Sequence, residues 1–226
     1  MESPPPWPTP PLMTGTWHQL DATLTVALRD RLVGTEVRCR PLVYSGKMLA
    51  YRVQPLPFWP GWMWADALQE TEMGLASAAF LYGPFGALPI EGASALVHDI
   101  NDTGILKLAD EGAVIAYLRF FCSAVRGTDG PFHLIEDSAR FAELTGGPVP
   151  EVVATHAAPI AITPIDSGWH ADATVIYAND LFRTRFAIGF SGEIEMIDDE
   201  PLSTGLDPMN IVFDGMRSRP RVGAPA

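Results

Sequence analysis

Residues 172–199 constrain the fold more than any other stretch, because three runs of alternating side chains, 172–178, 181–188 and 193–199, are joined by short turn sequences that fix one another's register. A two-residue turn at Asn179-Asp180 pairs Tyr177 with Phe182, Val175 with Thr184 and Ala173 with Phe186, and that row is nearly all apolar. For the next turn, a two-residue Ser191-Gly192 loop sets Ile188 against Glu195 and spoils the row. A three-residue loop, Phe190-Ser191-Gly192, with the glycine left-handed in a bulge, instead pairs Ile188 with Ile194 and Phe186 with Met196. It also places Arg183 opposite Asp199 on the outer face, with Arg185 and Glu195 as diagonal neighbours. The expectation is an antiparallel β-meander with Phe182 and Phe186 facing a core and the arginines facing out.

A long helix over about 110–126 supplies a partner for that sheet. Val114, Tyr117, Leu118, Phe121 and Val125 fall on one face, Asp110 and Glu111 suit the positive N-terminus, and Arg126-Gly127 suits the C-terminus. Upstream, Ser45-Gly46 predicts a hairpin between Val37 and Val53, and the small residues of 66–80 predict a second helix. The glycines and prolines of 82–104 predict a long irregular connection, and 149–162 reads as extended. A short strand at 131–136 and a helical turn at 138–144, stopped by Gly146-Gly147, complete an α+β fold.

Half of the first twelve residues are proline, a composition that favours extended polyproline conformations, so 1–13 is expected to be a disordered tail. The arginine-bearing end, 215–226, is expected to be a second one. Between them, 14–214 reads as a single domain, with 82–104 as the place for any sub-boundary.

Apolar residues make up 47% of the chain and charged residues 19%, which is enough to bury a core. A net charge of -12 with scattered basic residues argues against nucleic acid as a partner. No run is long and unbroken enough for a bilayer and no secretory leader is apparent, so the expectation is a soluble, cytoplasmic protein without a membrane partner. Cys39 and Cys122 read as free thiols, the latter buried and inert.

Candidate chemistry is sparse. His98-Asp99 is the smallest unit of general-base catalysis, though Asp99 and Asn101 equally suit loop capping. Asp198 is expected to face inward, while Asp199 beside it points to the opposite face, so the two do not share an ion unless a bulge intervenes. His170 and Asp172 share a strand face, but a zinc site needs three or four ligands. Glycine loops for phosphate and a GxSxG elbow are both missing, so no metal and no cofactor are expected. Phe58, Trp59, Trp62 and Trp64 form an aromatic cluster around Pro60-Gly61 that reads either as a core plug or as a binding surface. The expected function is a non-catalytic binding protein whose partner is a protein or small molecule, using those four aromatics. The alternative is a small-molecule enzyme with His98 or Asp198 as acid–base group in a pocket between helix and sheet.

Overall fold

The computed structural model describes residues 5–35, 47–84, 86–214 and 217–221. It is a mixed α+β fold dominated by antiparallel sheets. The described residues form two compact units, the first from residues up to 56, 61–91 and 211–221, the second from 57–60 and 92–210. Where the sequence reading expects one domain over 14–214, each unit is built around its own sheet.

In the first unit the sheet runs β1 (His18–Gln19), β2 (Lys47–Pro55), β3 (Met63–Thr71), β4 (Gly74–Gly83), β14 (Arg217–Pro220) and β13 (Ile211–Asp214), with β5 (Gly86–Pro89) also on β4. The expected helix at 66–80 is therefore a hairpin, β3 and β4, turning at Glu72-Met73 with Gly74 at φ +98°. Six consecutive residues of each strand, 64–69 and 76–81, are buried on both faces, so no alternation of polar and apolar residues marks it as strand. Small residues serve this sheet on its helix-facing side. Ala65, Ala67, Ala78 and Ala87 leave room for Leu28 and Leu32 of helix α1 (Ala22–Thr35), which pack with Tyr51, Val53 and Phe80 into one core. Burying each leucine is worth roughly 1.5–3 kcal/mol. Of the expected 37–53 hairpin, 37–46 lie outside the described residues, and 47–53 belong to β2.

The proline-rich start is not a free tail where it is described. Thr9 and Met13 are buried, and Trp7 lies over Arg52 of β2. Arg217 and Arg219, placed by the sequence reading in a second tail, sit in β14, where the Arg217 Nε donates to Gln69 Oε1 at 2.8 Å.

The second unit contains α2 (Ala95–Asn101), α3 (Glu111–Ala124), β6 (Arg126–Gly127), β7 (Gly130–Pro131), β8 (His133–Leu134), α4 (Ser138–Thr145), α5 (Glu151–His156) and β9 (Ala161–Ile165). The meander follows as β10 (Gly168–Tyr177), β11 (Asp180–Gly189) and β12 (Ile194–Ser203). Its sheet order is β12-β11-β10-β8, with β9 also on β10. Helix α3 starts at Asp110, whose side chain accepts from the Ala113 N–H at 2.8 Å, and buries Val114, Tyr117 and Leu118 as expected, with Phe120 in place of Phe121. Since α1 is also fourteen residues long, the described residues hold two helices of that length, one in each unit, where one long helix is expected. The 82–104 segment holds β5 and α2, and 149–162 holds α5, capped after Pro150, before β9 begins.

In the meander the expected faces survive a register error. Tyr177 pairs with Asp180, Val175 with Phe182, Ala173 with Thr184 and Ala171 with Phe186, two residues from the expected pairing. Ala178 and Asn179, at φ 51° and 69°, form the turn. Because side chains alternate with period two, a shift of two keeps every residue on its face. Phe186 and Ile188 are buried, Phe182 is half-buried, and Arg183 and Arg185 are exposed. The second turn is the three-residue loop with Gly192 at φ +83°, pairing Ile188 with Ile194 and Phe186 with Met196.

Candidate interaction site

The four aromatics proposed as a binding surface are all buried. Phe58 and Trp59 belong to the second unit, where Phe58 packs its ring 5.1 Å from Tyr117 and 5.3 Å from Phe120, and Trp59 sits 4.9 Å from Phe120. Trp62 and Trp64 belong to the first. Trp62 lies so close over Gly83 that a Cβ there would come within 2.2 Å of the indole. Trp64 donates its indole N–H to Asp66 Oδ1 at 2.7 Å, while Arg52 Nε holds Oδ2 at 2.9 Å. Burial pushes the Asp66 carboxyl up, against the pull of Arg52 and Trp64. As a surface the cluster is unavailable, because rings this large are driven out of water by their apolar area.

Trp59 has a different consequence, one that reaches the meander. Its indole N–H donates to Asn101 Oδ1 at 2.9 Å, Asn101 Nδ2 donates to the Tyr117 oxygen at 2.8 Å, and the Tyr117 hydroxyl donates to the Gly192 carbonyl at 2.6 Å. Burial pushes the Tyr117 hydroxyl up to about 12, with the Asn101 hydrogen bond opposing it, so it stays a donor. The chain of bonds thus ends on the turn between β11 and β12. Gly192 is needed there twice, for its positive φ and because a Cβ would lie 2.4 Å from Asn101 Nδ2.

What this anchor positions is β12, the last strand of its sheet. Its residues are exposed along most of the strand, including Met196 at 41% and Ile197 at 44%. It carries Glu195, Asp198, Asp199 and Glu200 and no basic residue. Ile197 and Leu202 are extra residues with no partner on β11, as Arg185 pairs with Asp198 and Phe186 with Met196, then Leu181 with Ser203 and Phe182 with Pro201. The bulge at Ile197 reverses the sides of the residues that follow it. Asp198, expected to face inward, therefore lies on the arginine side opposite Arg185 and is exposed, and Arg183 meets Glu200 at 3.0 Å in place of Asp199. Arg185 is held by Asp172 through bonds of 2.7 and 3.1 Å, which also gives Asp172 a role other than metal ligation. Glu193, Glu195 and Asp199 make no side-chain hydrogen bond or ion pair among the described residues.

His98 is half-buried on α2, not in an irregular loop, and its side chain makes no hydrogen bond among the described residues. Asp99 beside it is exposed, and Asn101 is committed to Trp59 and Tyr117. The structure thus gives neither His98 nor Asp198 an acid–base partner among the described residues. His133 is buried on β8, and desolvation, with Arg140 nearby, pushes its pKa down to about 3. Glu136 is clamped by Arg119 through two bonds, one of 2.7 Å. Cys122 is buried and its thiol is pushed up to about 12 by desolvation, while Cys39 lies outside the described residues. Among the described residues no helix is long and apolar enough to cross a membrane. The edge at β12 escaped sequence reasoning because exposure on both faces looks like alternation when only one strand is read. The one available signal was the run of four acids without a cation.

No protein-family model matches the chain, and neither a curated protein nor a solved structure matches it.

Proposed function

We propose that this chain is a non-catalytic binding protein that takes an extended, basic segment of a protein partner onto the free edge of β12. The observation that carries this reading is a ten-residue edge strand, exposed along most of its length, with four carboxylates and no cation. Strand addition draws its affinity from main-chain hydrogen bonds and its specificity from side chains across the new pair. Each opposite-charge pair in such a register contributes about 0.2–1 kcal/mol. Lysines or arginines on one face of the partner strand meet Glu195 and Asp198, which lie on the arginine side of β12, whereas Asp199 lies on the opposite side.

The same residues discriminate against the wrong strand. A second copy of β12 brings acid against acid, and Pro201 with the bulges at Ile197 and Leu202 interrupts regular pairing at the C-terminal end. The segment open to a partner is thus short, around 194–200, and carries the bulge at Ile197 within it. Met196 and Ile197, both exposed, give that segment apolar contact.

Calorimetric titration with ten-residue peptides that alternate valine with lysine, or valine with glutamate, tests this directly. The lysine peptide is expected to bind, to weaken as salt rises from 50 to 300 mM by roughly tenfold or more, and to lose binding to the Glu195→Lys/Asp198→Lys variant. Equal binding of both peptides, or none by either, removes the reading.

A further inference from the structure

A second site lies in the first unit, on the side of its sheet that carries α1. Arg217 of β14 stands beside Ala78 of β4, a member of the apolar cluster that includes Leu28 and Leu32, so Arg217 is on that side. Arg219 follows two positions later on the same side, about 6.5–7 Å further along the strand. We propose that Arg219, with Arg217 beside it, binds the phosphate group of a small molecule.

The sheet builds this site from small neighbours. Ala67 pairs with Ala78 and Gln69 with Ala76, so on this side β4 places only alanines between Gln69 on β3 and the arginines on β14. Arg217 reaches across them, and its Nε donates to the Gln69 Oε1 at 2.8 Å. Gln69 is fully buried, and its Nε2 donates to the Met48 sulfur at 3.4 Å, which fixes the amide with its oxygen towards Arg217. Opposite Arg217 in the register stands Asp214. The positive charge left to be met is that of Arg219.

Arg219 is half-buried, and its Nε is closed off from solvent with no hydrogen-bond partner among the described residues. It makes no ion pair among them either. Its partner across the ladder is Val212, whose side chain has no acceptor to give. A guanidinium drawn out of water without an acceptor is costly, and a like charge two positions away adds to the cost. An oxyanion offsets both. The guanidinium presents its N–H donors in a fixed fork that matches phosphate geometry, and a phosphate monoester brings about -1.5 to -2 charges and three acceptor oxygens. A carboxylate, with a single charge and two oxygens, meets fewer of those donors.

Inorganic phosphate is the probe. The full chain, isotope-labelled for NMR, is titrated to about 20 mM phosphate against chloride at constant ionic strength, so that general screening does not change. The Arg219 Nε–H signal, assigned by its loss in Arg219→Lys, is expected to shift and to saturate, while that of Arg29, an exposed arginine paired with Asp30 at 3.0 Å, stays in place. Arg219→Lys keeps the charge and loses the fork, so phosphate affinity, read by phosphorus line width, should fall at least about tenfold. The denaturation midpoint of that variant should not change, because Arg219 has no internal hydrogen bond to lose. An Arg219 signal that does not move, that drifts without saturating, or that moves in step with Arg29 overturns the site. Equal phosphate affinity in Arg219→Lys overturns it too, and an equal saturating shift with acetate overturns the choice of phosphate. Should Arg219→Lys not fold, through-bond correlation to the Arg219 backbone assigns the signal and the titration of the unaltered protein decides.

Discussion

Tyr117 shows how one side chain can carry two duties without being exposed. Its ring fills the aromatic cluster with Phe58, and its hydroxyl joins Asn101 to the Gly192 carbonyl. Tyr117→Phe keeps the packing and leaves the Asn101 amide and the Gly192 carbonyl short of a partner, which costs about 1–3 kcal/mol. Chemical denaturation should show that loss with an unchanged m-value, and binding at β12 should weaken because its turn is released. A loss below about 0.5 kcal/mol means that the bond to Gly192 does not hold the turn. Residue types made part of this readable in advance. The size of Trp59 allowed a core or a binding surface and its expected use was the surface, whereas its burial and its tie to a turn more than a hundred residues away depend on tertiary placement, which no local pattern encodes.

Among the elements, those whose signals were local came through and those whose signals were tertiary did not. Helix α3 has an apolar face and an Asp110 cap, and α4 has the Asp137 cap and the left-handed Gly146, so both were legible. The β11–β12 turn was legible because only one loop length keeps Ile188 opposite an apolar residue. The β10–β11 turn was misplaced by one residue, since Ala178 at φ 51° is a conformation that an alanine seldom adopts. Helix α1 was not anticipated because just two of its described side chains, Leu28 and Leu32, are buried, too few to draw a stripe, with Leu24 and Val26 left exposed. The β3–β4 hairpin failed for the opposite reason: burial on both faces erased the alternation. The candidate site was half legible. Its acids stood out in the sequence, while the bulge at Ile197 that turns Asp198 to the arginine side did not.

At the scale of the molecule, stability and binding give separate tests. His133 is neutral when folded, with its pKa pushed down to about 3, against an ordinary value near 6.5. Between those values the unfolded chain takes up a proton that the native one refuses, so His133 makes stability fall as pH drops from about 6.5 towards 3, by about 1.4 kcal/mol per unit. His133→Gln should flatten the decline measured by denaturation between pH 6.5 and 4.5, whereas an unchanged slope places its cause in other groups. The claim on which the rest depends is that β12 is a docking edge, and amide hydrogen exchange with and without the valine–lysine peptide tests it most directly. Saturating peptide should slow exchange within 194–200 and leave β8, on the far side of the same sheet, unchanged. Protection that appears elsewhere, or a β12 that exchanges as fast with the peptide bound as without it, contradicts the account.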